Sequence, residues 1–219
     1  MTRVINIFVF GASTTYGCWD PEGGWVARLR RFLDEKSVEQ LKQNPEPNPM
    51  YLVYNQGIPA DDLSGILKRF DSEVSERIDP GEENIILIHT GTNDSLYNNQ
   101  TKSLKFSPDQ YKQELIEVAG LTRRYSAKIV LVGTMPVDQR VDPIPWLPNH
   151  SYKNEYVAKF NEIMEEVSQE EKIHFIEIYN HFSGGEYQHL LVDGVHPNSR
   201  GHQQVFEIVR DYLLDKKII

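Results

Sequence analysis

Four short segments of this 219-residue chain hold residue types that work together in acyl transfer. They are Gly11-Ala12-Ser13-Thr14-Thr15-Tyr16-Gly17, Asn55-Gln56-Gly57, Gly91-Thr92-Asn93-Asp94 and Asp193-Gly194-Val195-His196-Pro197. Ser13 supplies a hydroxyl, which is a poor nucleophile until a base takes its proton. Asp193 and His196 stand three apart. In a tight turn the carboxylate accepts from one ring nitrogen and leaves the other to face Ser13, which fixes the tautomer and steadies the imidazolium formed during attack. Gly57 lets a backbone N–H approach a ligand closely, and Asn93 offers a side-chain amide. Both suit an oxyanion. An ester carbonyl attacked by Ser13, with water resolving the acyl-enzyme, needs no metal and no organic cofactor.

Each piece read alone has a plainer meaning. Ser13 between Gly11 and Gly17 is more often a turn or cap serine, and Gly57 a turn glycine. Asn93 suits a turn that bonds its own backbone. Asp94 reads as a brace for that loop or a helix cap. A phosphate-binding loop would need a lysine after its second glycine, but Cys18 and Trp19 follow Gly17. The chain has no Gly-x-Ser-x-Gly elbow. Asp193, His196 and Asp94 do not form the dense ligand cluster of a metal site. The other six histidines lack a carboxylate partner of this kind, and His89 reads as packing at a strand end.

The elements that must position these residues alternate between apolar runs and amphipathic stretches. Val4 to Phe10, Tyr51 to Asn55, Ile85 to His89, Lys128 to Gly133 and Ile173 to Ile178 read as strands. Helices are predicted over about Gly24 to Lys36, from Asp61 or Asp62 past Leu63, Ile66, Phe70 and Val74, and around Tyr111, Leu115 and Val118 with Pro108 near the start. Two more run through Tyr156, Phe160 and Val167, and from Asn198 or Ser199 to Leu214. Strand–helix alternation implies a parallel sheet with helices on both faces, whose sites lie beyond the carboxyl ends of the strands. Ser13, Gly57 and Asn93 follow the first three strands, and His196 follows the fifth, so one sheet edge collects all four motifs. No repeat or linker interrupts the pattern, and one domain over 1–219 is expected.

The charge is -9, from 23 Lys and Arg against 32 Asp and Glu, with no dense basic stripe, which argues against nucleic acid as a partner. Cys18 is the lone cysteine, so no internal disulfide forms, in keeping with a cytoplasmic protein. No apolar stretch is long enough to span a bilayer. The expected partner is a small-molecule ester. The loops Leu96 to Phe106 and Val137 to Tyr152 are expected to shape its pocket. Trp19, Tyr97 and Trp146 read first as core residues and second as surfaces for an acyl or sugar group.

With these motifs in hand, the chain resembles the SGNH (GDSL-type) hydrolase family of esterases and lipases, over nearly its whole length. The resemblance implies an α/β fold, a three-layer α/β/α sandwich with a flavodoxin-like five-stranded parallel sheet. It implies Ser13 as nucleophile, His196 as base, Asp193 as its orienter, and an oxyanion hole from the Ser13 N–H, Gly57 and Asn93. The family's first block usually reads Gly-Asp-Ser, and Ala12 stands here in place of the Asp. Two other functions fit the same residues: an acyltransferase using an acceptor alcohol, and a flavodoxin-like module that binds an anion at the Ser13 loop without catalysis. The Asp193–His196 pair disfavours the second, since an anion site needs no oriented base.

Overall fold

The computed structural model describes residues 3–219. Strand β1 (Val4–Gly11) leads into a single turn of helix, α1 (Ser13–Tyr16), then α2 (Gly24–Leu41) and β2 (Met50–Gly57). There follow α3 (Leu63–Ser75), β3 (Glu83–His89), the short strands β4 (Tyr97–Asn98) and β5 (Ser103–Leu104), and α4 (Pro108–Arg123). Next come β6 (Lys128–Val132), β7 (His150–Ser151), α5 (Asn154–Glu171), β8 (His174–Ile176), α6 (Tyr179–Ser183) and α7 (Ser199–Asp215).

Five strands form a parallel sheet in the order β2-β1-β3-β6-β8. This is the expected flavodoxin-like order, with the chain reversing direction across the sheet at β1. Both faces of the sheet are covered. Ile5, Ile7 and Val9 of β1 face a core with Trp25, Leu29 and Leu33 of α2 and Val205, Val209 and Leu213 of α7. The alternate residues Phe8 and Phe10 face Leu63, Ile66 and Phe70 of α3, Tyr111 and Leu115 of α4, and Phe160 of α5. Burial on both faces is why β1 reads as a continuous apolar run with no alternation.

The structure departs from expectation at several points, among them the short helices α1 and α6, which were not expected. Helix α2 runs to Leu41 rather than Lys36, because helix-forming polar residues carry it past its apolar stripe. Strand β8 is shorter than expected, ending at Ile176. The Glu177 carboxylate accepts from the Asn180 N–H (2.9 and 3.0 Å) and turns the chain into α6. The two predicted loops contain a second, antiparallel sheet in the order β5-β4-β7. Its strands are two residues long, too short to leave a periodic signal. Among the described residues no helix is long and apolar enough to cross a membrane.

Candidate active site

Register brings the motifs together. Gly11 at the end of β1 lies opposite Gly57 of β2 on one side and His89 of β3 on the other. The first residue after each strand therefore emerges at one edge. Ser13 opens α1, where the first N–H groups have no partner within the helix. Ala12 occupies the N-cap and provides no side-chain cap bond. A Cβ at Gly57 would stand 2.3 Å from the Tyr16 nitrogen, so only glycine lets β2 pass this close to α1. Thr15 Oγ1 and His89 Nδ1 lie 2.9 Å apart, and Asn55 Nδ2 donates to the Thr15 carbonyl at 2.9 Å, which fastens α1 to strands on both sides.

His196 Nε2 lies 2.9 Å from Ser13 Oγ, across 183 positions of chain. His196 Nδ1 lies 2.7 Å from Asp193 Oδ2. Burial alone would raise the Asp193 carboxyl. Bonds from the His196 ring and from the His196 and Val195 N–H groups outweigh it and hold the group at about 2. Asp193 is thus an acceptor only, which makes Nδ1 the donor of the neutral ring and leaves the Nε2 lone pair for the Ser13 hydroxyl. This chain of bonds can move a proton off Ser13.

Asn93 enters from the loop after β3. Asp94 anchors that loop. Its buried carboxylate accepts from Thr90 Oγ1 (2.6 Å), Gly91 N (2.8 Å) and Leu63 N (2.8 Å), the last at the start of α3. Burial raises the Asp94 carboxyl, partly offset by these bonds. Asn93 Nδ2 donates to the Asp61 carbonyl at 2.7 Å, and Asn93 Oδ1 accepts from the Tyr152 hydroxyl at 2.6 Å. A primary amide has two N–H groups, so one remains beyond the Asp61 bond. A cavity of about 30 Å³, bordered by Ser13, Asn93, Thr134 and Val195, opens between these groups. It has room for one water-sized group. A separate surface groove of about 680 Å³ between Phe175, His181 and Tyr212 contains none of these residues.

The Gly57 N–H donates to Asn55 Oδ1 at 2.9 Å rather than facing an empty site. Sequence reasoning missed several supporting residues. Tyr152, just after β7, carries no motif, and only the small sheet brings it to Asn93. Asp20 and Arg28 form a buried ion pair that also takes the Ser199 hydroxyl (2.5 Å) and the Gly24 N–H (2.9 Å). That pair ties the start of α2 to the start of α7, whose first residue, Ser199, lies three positions after His196. The expected core role fails for Trp19 and Trp146, which are 63% and 52% exposed beside His196. Tyr97 is half-buried and stacks on Tyr156.

The profile of the GDSL-like Lipase/Acylhydrolase family matches residues 9–204, which span all four motifs. The chain belongs to this family. Solved structures agree in fold. A lipase/acylhydrolase from Enterococcus faecalis superimposes with a TM-score of 0.71 at 18% identity, over 99% of this chain and 97% of that one. A putative acylhydrolase from Bacteroides fragilis gives 0.68 at 20%, over 96% and 87%. A mutant of an acetyl-xylooligosaccharide esterase from Geobacillus stearmophilus gives 0.69 at 17%, over 95% and 94%. No curated protein matches the chain. For this GDSL-like chain the likeness to these structures is one of fold.

Proposed function

We propose that this GDSL-like protein is a serine esterase of one domain, hydrolysing small-molecule carboxylic esters through an acyl-enzyme on Ser13. The observation that carries this reading is the unbroken chain Asp193–His196–Ser13, at 2.7 and 2.9 Å. His196 Nε2 takes the hydroxyl proton as Ser13 Oγ attacks the ester carbonyl, while Asp193 holds the ring and balances its charge. The oxyanion is held by the Ser13 N–H at the start of α1, the remaining Asn93 amide N–H and the Gly57 N–H, which exchanges Asn55 Oδ1 for it. His196 then protonates the leaving alcohol, and water repeats the sequence on the acyl-enzyme. The single cysteine, Cys18, supports a cytoplasmic setting.

A fluorophosphonate probe tests the reading. It should label the native protein on Ser13 and leave Ser13→Ala unlabelled, with ester hydrolysis down by roughly 10³-fold or more in a folded protein. A Ser13→Ala protein retaining a tenth of the native kcat would overturn the assignment, as would a native protein that resists the probe.

A further inference from the structure

Two exposed tryptophans flank His196. The Trp19 ring meets the imidazole edge-on at 6.2 Å between centroids, and the Trp146 ring lies tilted by 31° at 6.0 Å. Neither is there as core. Trp19 also has a positive φ of 64°, a left-handed conformation that bulky side chains avoid. Its indole Nε1 donates to Asp193 Oδ2 at 3.1 Å, which fixes the ring while leaving most of it in solvent. Large aromatic faces held open beside a reactive histidine are surfaces for a ligand.

The chemistry says which part of the ligand. When the tetrahedral intermediate collapses, the carbon–oxygen bond to the alcohol breaks. The proton on His196 Nε2 passes to that oxygen, and the acyl group stays on Ser13 Oγ. The leaving oxygen must therefore come within hydrogen-bond reach of His196, and the carbons attached to it lie alongside the imidazole. The Trp146 ring lies 6.0 Å from that imidazole, and Trp19 flanks it at 6.2 Å on the side of its Asp193 partner. We propose that they form the leaving-alcohol subsite, and that it takes an alcohol bearing a ring with an apolar face, either a sugar or an aromatic ring. This rests on the esterase reading of Ser13 and adds to it a substrate class. A competing role for Trp146 is to steady the imidazolium charge, which would act on every ester alike.

Three acetate esters of primary alcohols separate these roles: benzyl acetate, a methyl glucopyranoside acetylated on its primary hydroxyl, and n-butyl acetate. Their leaving groups differ little in basicity, so the ratio of kcat/KM for a ring ester to that for the butyl ester reports the subsite. The ratio should fall by about tenfold in Trp146→Ala and stay within about threefold of native in Trp146→Phe, which keeps a flat ring. A fall confined to the benzyl ester identifies an aromatic alcohol, and one confined to the pyranoside identifies a sugar. An unmoved ratio overturns the proposal, including a uniform loss on all three esters, which would mark the imidazolium role. Fluorophosphonate labelling of the same preparations keeps the two readings apart. A labelled Trp146→Ala protein with the native ratio overturns the subsite alone, whereas a native protein that is not labelled overturns both.

Discussion

Tyr152 and Asn93, 59 positions apart, share a hydrogen bond of 2.6 Å in which the phenol donates to the amide oxygen. Burial raises the Tyr152 phenol well above its ordinary range, so it remains a donor at any working pH. The Asp61 carbonyl accepts from the other end of the same amide at 2.7 Å. The two bonds allow one orientation of the Asn93 side chain and forbid its flip. The donor proposed for the oxyanion is thus set before substrate arrives, which is where such a donor gains its effect.

Tyr152→Phe should therefore lower kcat by about three- to tenfold with little change in KM, a barrier change of up to roughly 1.4 kcal/mol. Asn93→Ala should cost more, about 2.7–4 kcal/mol in kcat. In the double variant the tyrosine should add almost nothing, because its action passes through Asn93. Additive losses in steady-state kinetics would show that Tyr152 acts elsewhere.

Asp193→Asn should reduce kcat by about 10²- to 10⁴-fold, since the amide no longer dictates the His196 tautomer. Trp19→Phe removes one bond to the same carboxylate and should cost less, roughly two- to fivefold. Because Asp193 is held at about 2, its own protonation should leave the pH–rate profile untouched above about pH 4. Kinetics of the native protein and both variants between pH 4 and 9 would check this order.

Removing the carboxylate in Asp20→Ala should destabilise the fold by about 3–5 kcal/mol, leaving the buried Arg28 with only the exposed Glu22 carboxylate, 3.3 Å away, as counter-charge. Burial alone would raise the Asp20 carboxyl, but its bonds to Arg28, Ser199 and backbone N–H groups hold it well below the usual range. For a chain of this length the melting temperature should drop by roughly 10 °C. The double variant Asp20→Ala/Arg28→Met should recover much of the loss by removing the stranded charge.

Stability should also fall with pH in a window set by two buried histidines. Burial, together with each ring's neighbouring cation or histidine, pushes His89 and His202 down to about 4 from an ordinary 6.5. Between those values the unfolded chain binds protons that the folded chain refuses. The stability they contribute is complete above about pH 6.5 and is lost as pH falls through 4, on the order of 3 kcal/mol for the fully enclosed His89. The depressed carboxylates of Asp20 and Asp193 act in a lower window, below about pH 4. A melting series from pH 8 to 3 should show both declines. His89→Gln should melt lower at neutral pH yet lose less between pH 6.5 and 4.

The strands, their parallel arrangement and the convergence of the Ser13 and His196 segments on one sheet edge were legible in the residues themselves, whereas the flavodoxin-like strand order came from the family resemblance. Long apolar runs, a helical stripe such as Leu63, Ile66, Phe70 and Val74, and a three-residue Asp–His spacing are local signals, and local physics is enough to read them. The sheet edge then follows, because parallel strands with right-handed crossovers leave all their carboxyl ends on one side. The tertiary structure alone decided what steadies those groups. Strands two residues long set Tyr152 against Asn93, and a buried Asp20–Arg28 pair fastens α2 to α7. It also turned Trp19 and Trp146 outward, where apolar composition had suggested core. These are pairings between positions far apart in the chain. A single tyrosine or tryptophan carries no mark of its partner, since the partner is chosen only when distant segments pack and each polar group must find a bond.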